Sequence, residues 1–341
     1  QWVAVLLMCA WWWRAGAAPR QALRLCLAAL GLYLLALLAL PSALQVLTGT
    51  PGNSLIGRFA DAEGCGGRRV LWANVLYLIG QRPWSGVGWG ELDYAHFMAQ
   101  YPGPRFCDIL DNAHNLPLHL AVELGVPLAL LVCLAALAWV WRARPWRETD
   151  ATRQLAWGVL ALLLLHSMVE YPLWYGPFQL AGALSLWLLL RRPGAARGAP
   201  PGAGAPALLA MLVVAASAAL WALAWDYWRV SQLYLAPAER ASAYREDTRD
   251  KVRGSWWFED QVLFAELTTT TLTPANAGHL HALALRLLHF SPEPRVVQKL
   301  IESATLLGLA DEALLYQQRF KAAFADEYAR WAASAVLPAA D

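Results

Sequence analysis

Apolar runs alternate with short arginine-rich connections along the first two thirds of the chain. A membrane span needs roughly 20 apolar residues. The runs that approach this length cover residues 1–13, 21–41, 116–141, 154–170, 173–190 and 206–228. The first run begins in the middle of a hydrophobic pattern, so we expect it to be the end of a truncated span in a longer protein. The pattern therefore predicts six spans, the first of them partial.

The pattern becomes mixed and amphipathic after residue 229. Residues 292–308 and 310–331 predict two helices, separated by a Leu-Gly turn, in which apolar residues recur every three and four positions. This pair resembles one tetratricopeptide-like hairpin. A single repeat cannot bury a solenoid core, so we expect it to pack on the preceding helix or on the membrane domain. Docking of a protein acceptor and a folded cap without a partner are both compatible with this segment.

These elements together predict an all-α fold, a polytopic membrane helical bundle followed by a soluble helical domain. Spans occupy residues 1–41, and residues 42–115 form a large loop that contains an amphipathic helix. Further spans occupy residues 116–228, and a helical domain of the tetratricopeptide-like kind occupies residues 229–341.

The arginines orient the predicted spans in the membrane. They cluster in three short connections: Arg14, Arg20 and Arg24; Arg142, Arg144, Arg147 and Arg153; and Arg191, Arg192 and Arg197. Short loops rich in Lys and Arg remain on the cytoplasmic side. The loop 42–115, the tip 170–176 and the tail after 229 are therefore predicted to lie on the outer, periplasmic-type side.

Composition agrees with a membrane protein and excludes some partners. The chain is 58% hydrophobic and 15% charged, and it contains 19 Trp. The net charge of +2 and the absence of a Lys/Arg block argue against nucleic acid as a partner. We expect the apolar part of the chain to lie in a lipid bilayer. The seven histidines show no paired metal-ligand spacing, so no metal site is predicted.

Two of the five cysteines, Cys65 and Cys107, share the large outer loop. An oxidising compartment allows a disulfide between them. Two unpaired thiols are equally compatible with the sequence.

The stretch DNAHNLPLHLAVELG, residues 111–125, brings polar side chains to the mouth of an apolar run. Pro117 is tolerated only in the first turn of a helix, so the helix is expected to begin near Asn115 or Leu116. His114 then lies just outside the helix, where the helix dipole disfavours imidazolium. A neutral imidazole there can act as a general base. The alternative is an interfacial histidine with no role.

Glu123 lies nine positions beyond His114, about 13 Å along a straight helix. The two side chains cannot meet unless the helix bends, and Gly125 with Pro127 is a pair that commonly breaks a span. One helical turn separates Glu123 from His119, so a local hydrogen bond between these two is expected.

Arg68 and Arg69 precede an amphipathic stretch in which Trp72, Val75, Leu76 and Ile79 share one face. This pattern suits a helix that lies on the membrane. Arginines at headgroup level are natural ligands for phosphate oxygens, and headgroup anchoring of the helix is the alternative. The glycines of GVGWG, residues 86–90, predict a tight turn with close backbone approach.

The order of these motifs resembles the bacterial O-antigen ligase and polymerase superfamily. The resemblance covers about residues 45–335. It rests on Arg68-x3-Trp72, RPWSGVGWG, AHNLPLHLAVELG, HSMVEYPLWYGPF and the helical tail. The EYPLWY hairpin and the tail are most similar to the pilin glycosylation ligases, which are O-linked oligosaccharyltransferases. The motif from the HN pair to ELG does not by itself separate the members of the superfamily.

The resemblance implies transfer of a preassembled glycan from an undecaprenyl diphosphate carrier to an acceptor hydroxyl. The reaction would occur at the periplasmic face of a bacterial inner membrane, without a cofactor, metal or nucleotide. The family's catalytic His falls on His114, and its diphosphate-contacting Arg falls on Arg68, with Arg69 as a competing position. The expected substrate-binding residues are Arg69, Asn115, Glu123, Glu170, Tyr171 and Tyr175. Trp89, Trp174 and Tyr175 offer flat faces for sugar rings, or else belong to the interfacial belt.

Four functions are compatible with this reading. The first is transfer of the glycan to a Ser or Thr hydroxyl of a periplasmic protein such as pilin. An O-antigen ligase with a lipid A core acceptor and an O-antigen polymerase share the same chemistry. A transporter for the lipid-linked glycan is the fourth, but it should carry ionisable or helix-breaking residues near the middle of several spans. Residues 21–41 and 206–225 carry none there, with Arg24 near one end.

Overall fold

The computed structural model describes residues 2–14, 16, 20–48, 65–191 and 205–334. Within these ranges every regular element is helical, which agrees with the predicted all-α class. The first eight helices are α1 (Trp2–Arg14), α2 (Arg20–Thr48), α3 (Arg68–Gln81), α4 (Leu92–Met98), α5 (Leu116–Leu124), α6 (Val126–Ala143), α7 (Ala151–His166) and α8 (Gly176–Leu190). The others are α9 (Ala205–Ser231), α10 (Thr248–Val252), α11 (Glu259–Thr269), α12 (Ala277–Leu288), α13 (Pro294–Leu306), α14 (Ala310–Ala323) and α15 (Ala325–Ser334).

The chain forms two compact units. Unit 1 comprises Gln1–His96 and Tyr101–Ala196, and unit 2 comprises Phe97–Gln100 and Arg197–Asp341. Helix α9, which the sequence assigns to the membrane bundle, is therefore grouped with the C-terminal helices.

Two helical segments among the described residues are long and apolar enough to cross a membrane. They are Val126–Arg147 and Ala210–Tyr234. Three shorter apolar helices, Arg24–Leu40, Ala151–His166 and Gly176–Leu190, coincide with other predicted spans. A single bilayer crossing takes roughly 20 residues, so α7 and α8 are shorter than a typical span. Arg24–Leu40 is the apolar part of α2, which is 29 residues long.

The predicted span 116–141 is two helices rather than one. Helix α5 ends at Leu124, and α6 begins at Val126. Gly125 between them has φ 87°, a left-handed value that glycine adopts without steric cost. The break expected from Gly125 and Pro127 is therefore present.

Helices α1, α7 and α8 pack together in unit 1. Their core contains Trp12, Ala156, Trp157 and Leu189. The Trp12 indole also donates a hydrogen bond to the Pro145 carbonyl at 3.1 Å. Helices α7 and α8 form a hairpin, and its connection carries the residues Ser167–Tyr175.

Residues 65–115 of the large loop fold around α3, which packs on α5. A disulfide joins Cys65 to Cys107, so of the two states compatible with the sequence the structure has the paired one. Asn74 accepts from the Phe106 N–H at 2.8 Å and donates to the Pro104 carbonyl at 2.9 Å. The disulfide and the Asn74 side chain thus both tie α3 to the segment that leads to His114.

The face of α3 that packs in the protein differs from the predicted apolar face. The buried positions are Leu71, Asn74, Val75 and Leu78, whereas Leu76 is 56% exposed. Asn74 lies on the inner face because both of its polar groups bind backbone of the outer loop. A hydrophobicity pattern assigns such an asparagine to the outside, which displaces the predicted face around the helix.

Unit 2 is built from α9 and the C-terminal helices. Helix α13, a turn at Gly308 (φ 73°) and α14 confirm the predicted order of helix, Leu-Gly turn and helix. The second helix, predicted over residues 310–331, is interrupted at Phe324, whose φ of −140° and ψ of 64° are not helical, and continues as the separate helix α15. Helices α12, α13 and α14 pack in sequence, and α13 buries Val296, Val297, Leu300 and Ile301. The tetratricopeptide-like character of this arrangement stays a prediction.

Candidate active site

The site is formed where the start of α3, the segment before α5 and the hairpin between α7 and α8 meet. Each contributes one charged or titratable side chain: Arg68, His114 and Glu170. All three belong to unit 1. The sequence predicted these three residues as site residues, and the structure brings them into direct contact.

Glu170 joins the other two groups through its two carboxylate oxygens. Its Oε2 lies 2.9 Å from Nδ1 of His114, and its Oε1 is paired with the Arg68 guanidinium. Arg68 Nε also donates to the Val169 carbonyl at 3.1 Å. The arginine is therefore held by the hairpin at two successive residues.

His114 has an unusual backbone conformation. Its φ of 50° is in the left-handed region, which a non-glycine residue occupies at a cost of about 1–3 kcal/mol. Its N–H donates to Asn112 Oδ1 at 2.9 Å, and the Trp72 indole donates to the preceding carbonyl of Ala113 at 3.0 Å. These bonds stabilise the conformation that turns the imidazole towards Glu170.

Asn115 fixes the start of α5 as the sequence predicted. Its Oδ1 caps the helix by accepting from the Leu118 N–H at 3.1 Å, and its Nδ2 donates to the Met168 carbonyl at 3.0 Å. The Leu116 N–H donates to the Ser167 backbone carbonyl at 2.7 Å. The helix start is thus attached to the same hairpin that carries Glu170. Both ends of the Asn115 amide are engaged, so its observed role is positional.

Nδ1 of His114 faces a carboxylate, which determines what the other ring nitrogen can do. A neutral imidazole that donates from Nδ1 to Glu170 leaves Nε2 without a hydrogen, and therefore able to accept a proton. The imidazole side chain is 27% exposed and thus accessible to a substrate. Arg68, at 49% exposure, has guanidinium hydrogens beyond those used by Val169 and Glu170. The cluster can accept a proton and hold an anion in one place.

Tyr171 and Tyr175 extend the site along the hairpin. The Tyr171 ring meets the His114 ring edge-on at 4.8 Å and stacks with Tyr175 at 5.6 Å. The pKa of Tyr171 is raised to about 12, mainly by a hydrogen bond with Tyr175 and secondly by burial. The phenol therefore stays protonated at neutral pH and remains a hydrogen-bond donor.

Arg69 and Glu123 lie outside this cluster. Arg69 is exposed, and it has no ion pair with another residue of the described ranges. Glu123 is 2% exposed, with its carboxylate 3.5 Å from His119 Nε2. The two side chains are therefore adjacent as predicted, but their separation of 3.5 Å is longer than the hydrogen bond that the sequence predicted. In this conformation Glu123 is too buried for direct contact with a substrate.

The GVGWG turn is hydrogen-bonded to the end of α5. Val87 and Gly88 donate to the carbonyls of Val122 and Glu123 at 2.8 and 3.0 Å. A Cβ atom at Gly86 would lie 2.3 Å from the Glu123 carbonyl oxygen. The close backbone approach predicted from the glycines is present, and its partner is the ELG motif.

The turn also places Trp89 beside the hairpin. Trp89 and Trp174 stack with centroids 6.4 Å apart and are 63% and 42% exposed. Both meet the buried His119 ring edge-on, at 6.1 and 4.9 Å. The two indoles form an exposed aromatic surface next to the Glu170–Tyr171 segment.

Sequence reasoning missed Asn112 as a site residue. Its Oδ1 receives the His114 N–H, and the side chain is 3% exposed. An asparagine two positions before a residue commonly accepts that residue's backbone N–H, so the N-x-H spacing was the available signal.

These features describe a helical protein with membrane-spanning segments in which a loop and a hairpin bring a histidine, a glutamate and an arginine together. Residues 154–337, more than half of the chain, match the family described as virulence factor membrane-bound polymerase, C-terminal. Residues 1–133 match the family described as O-antigen ligase. The chain therefore belongs to the O-antigen ligase and membrane-bound polymerase superfamily, as its motifs predicted. Arg68 and His114 fall in one matched region and Glu170 in the other.

A curated relative gives a further comparison. A segment of 114 residues, 33% of this chain, is 29% identical to a general O-oligosaccharyltransferase of Acinetobacter baylyi. The segment spans 20% of that relative's own length. No solved structure matches the chain.

Proposed function

We propose that this protein is an O-linked oligosaccharyltransferase. It moves a glycan from an undecaprenyl diphosphate carrier to a Ser or Thr hydroxyl of a periplasmic protein such as pilin. The observation that carries the proposal is the contact of one carboxylate, Glu170, with both His114 and Arg68. The proposal assigns no step to a metal ion, a nucleotide or another cofactor.

The proposed reaction is a displacement at the anomeric carbon of the first sugar. The acceptor oxygen forms a bond to this carbon while the bond from carbon to the diphosphate oxygen breaks. The proton of the acceptor hydroxyl passes to Nε2 of His114. The diphosphate leaves with the bonding electrons, and Arg68 stabilises its charge by electrostatics and hydrogen bonds. Arg69, exposed at the same helix start, can contribute charge to the carrier from outside the cluster.

Glu170 acts through the two residues it holds. Its acceptance of Nδ1–H selects the tautomer of His114 and fixes the ring orientation, as a carboxylate does for histidine bases in other enzymes. Its second oxygen keeps Arg68 beside the imidazole. The base and the anion-binding arginine are thereby each bound to one oxygen of the same carboxylate.

The aromatic surface next to the cluster suits the sugar rings of the donor. Trp89 and Trp174 present stacked, exposed indoles, and Tyr171 presents a protonated hydroxyl. Flat aromatic faces pack on the C–H faces of pyranose rings, and the phenol can bind a sugar hydroxyl. The Tyr175 ring, 52% exposed, continues the same surface.

The Acinetobacter relative is named an O-oligosaccharyltransferase, which supports transfer of an oligosaccharide to a hydroxyl group. The folded helical unit 2 offers a surface for a protein acceptor. The disulfide between Cys65 and Cys107 supports the periplasmic side of a bacterial inner membrane, because such compartments are oxidising.

The family matches favour a second candidate with the same chemistry. Their descriptions name a membrane-bound polymerase and an O-antigen ligase. In those reactions the acceptor is a sugar hydroxyl, on a growing polymer or on the lipid A core. The donor, the base and the leaving group are unchanged.

The acceptor can be identified by mass. Full-length protein is expressed in cells that make a lipid-linked glycan and a candidate pilin, and the intact mass of the pilin is measured. The proposal predicts a glycan-sized increase that is absent with His114→Gln at matched expression. An unmodified pilin accompanied by glycan on lipid A core, or by longer glycan chains on the carrier, would support the second candidate instead.

A further inference from the structure

One turn of unit 2 exposes two adjacent tryptophans. Trp256 is 81% exposed and Trp257 is 46% exposed, with ring centroids 5.3 Å apart. They lie between α10 and α11, in the turn 254–258. A pair of large apolar side chains without protein cover marks a contact surface rather than a packing element.

The turn is fastened to α9 by a buried carboxylate. Asp226, 5% exposed, accepts from the Ser255 hydroxyl at 2.7 Å. Its other oxygen is paired with Arg229 at 2.7 Å. The Ser255 Oγ in turn accepts from the Phe258 N–H at 3.1 Å. The position of the tryptophans along α9 is thereby fixed at the level of Asp226.

Apolar packing reinforces this attachment. Val230 of α9 forms a core with Val252 and Val262, and Phe258 packs against that core. The Phe258 ring also meets Tyr227 edge-on at 5.8 Å. The turn is therefore bound to α9 at Asp226, Tyr227 and Val230, so it cannot move far along the helix axis.

Asp226 lies in the last third of a membrane-crossing segment. Ala210–Tyr234 is one of the two described segments long and apolar enough to span a bilayer. Its last turns carry the exposed aromatics Trp221, Trp225 and Trp228, followed by Arg229. Tryptophans concentrate at the boundary between hydrocarbon and headgroups. Trp225 is one residue from Asp226, about 1.5 Å along the axis.

We propose that Trp256 and Trp257 enter the interfacial layer of the bilayer and anchor unit 2 on the membrane surface beside α9. The contact is continuous with the aromatic end of the span, which identifies lipid as the occupant. Arg253, 70% exposed and three residues before Trp256, is paired with the equally exposed Asp250 at 3.2 Å, so the side of the turn nearest the tryptophans is polar, as the headgroup layer requires. The indole N–H groups meet the polar headgroups while the rings face the acyl chains.

Spin-label depth measurement tests this contact directly. In the full-length protein, Cys9, Cys26 and Cys133 are replaced by Ser, and the disulfide of Cys65 with Cys107 is kept. A nitroxide is attached at Trp256→Cys, and the protein is placed in vesicles of phosphatidylcholine and phosphatidylglycerol. Collisions with oxygen, which dissolves in lipid, and with a water-soluble nickel chelate are then compared.

Leu314→Cys is the matched control, because Leu314 is a 54% exposed apolar residue on α14. The proposal predicts that the label at Trp256 loses more than half of the nickel collisions seen at Leu314 and gains oxygen collisions. Trp257→Cys should give the same result if Trp256→Cys disturbs the turn. Nickel access equal to that at Leu314 at both sites would overturn the proposal. Protection from both reagents would also overturn it, because it would indicate a protein cover.

Discussion

One carboxylate of this protein contacts both a histidine and an arginine: Nδ1 of His114 lies 2.9 Å from Oε2 of Glu170, while Oε1 of Glu170 is paired with Arg68. The histidine precedes a helix, and the glutamate lies 56 positions later, in a hairpin. Their contact depends on two hydrogen bonds, from the Leu116 N–H to the Ser167 carbonyl and from the Asn115 side-chain amide to the Met168 carbonyl. The site is therefore an assembly of two distant chain segments with Arg68 as the third.

Replacement of Glu170 by Gln should reduce glycan transfer by roughly 10²- to 10⁴-fold, the range seen when a histidine base loses its correctly oriented form. The amide lacks the charge that selects the tautomer of His114, and it can present a donor to Nδ1. Glu170→Asp keeps the charge and should recover part of the rate. Transfer is measured at matched expression in vesicles.

Glu148→Gln is the control, because it removes a comparable ion pair, with Arg153 at 2.7 Å, elsewhere in unit 1. It should leave transfer near the wild-type rate. If Glu170→Gln and Glu170→Asp are equally active, or if Glu148→Gln is as damaging, Glu170 does not act by holding His114.

The two adjacent arginines should differ sharply. Arg68→Ala should abolish transfer, because the diphosphate loses its partner beside His114. Arg68→Lys should retain little activity, since a point charge cannot bind Val169, Glu170 and phosphate together through a planar fork. Arg69→Ala should be mild. Wild-type transfer by Arg68→Lys together with inactive Arg69→Ala would move the diphosphate contact to Arg69.

The close contact between the GVGWG turn and the end of α5 should make the stability of the protein sensitive to one added methyl group at Gly86. Gly86→Ala places a Cβ 2.3 Å from the Glu123 carbonyl at φ 69°, so the turn must shift. We expect a loss of about 1–3 kcal/mol in the free energy of unfolding, the usual cost of such backbone strain. Gly80→Ala is the control, because nothing lies within 4 Å of its Cβ on α3. A Gly86→Ala melting temperature equal to that of Gly80→Ala would contradict the close approach.

Asp93 should make stability depend on pH. Burial raises the pKa of Asp93 to about 7, with the Tyr94 N–H bond opposing the rise and Glu91 and Asp111 adding to it. The folded protein then keeps a proton that the unfolded chain has lost above its ordinary pKa near 4. Stability from this group is present below about pH 4 and is lost as the pH rises through about 7.

Asp93→Asn removes that titration. Relative to wild type, the variant should gain about 2–3 kcal/mol of stability between about pH 5 and about pH 8. Melting temperatures of both proteins in detergent at the two pH values give the difference. Asp311→Asn, at an exposed position on α14, should show no such gain. Parallel curves for wild type and Asp93→Asn would refute the buried carboxylic acid.

Much of the helical layout could be predicted from the sequence, because local rules determine it. Pro117 and Asn115 gave the start of α5, and Gly125 with Pro127 gave its break. The glycines at 86–90 predicted a close backbone approach, but not the segment approached, because the ELG backbone is more than 30 residues away in the sequence. The packed face of α3 was misplaced because Asn74 satisfies its amide with the outer loop.

The composition of the site was predictable, but its internal contacts were not. Residue types and motif order indicated His114, Arg68 and Glu170. The sharing of one carboxylate by the other two depends on the left-handed conformation of His114, which tertiary hydrogen bonds from Trp72 and to Asn112 maintain. No local pattern distinguishes such a conformation from an ordinary helix start.

The central claim is that His114 accepts the proton of the acceptor hydroxyl, and the decisive measurement compares His114→Gln with His119→Gln. His119 is the matched control, because it lies five residues away, is 2% exposed and contacts Glu123 and two tryptophans rather than the cluster. Glycan transfer is measured at equal amounts of folded, membrane-inserted protein. We predict that His114→Gln lowers the rate roughly 10²- to 10⁴-fold and that His119→Gln has a much smaller effect. A His114→Gln protein that transfers glycan as fast as His119→Gln would contradict the role of His114 as the base.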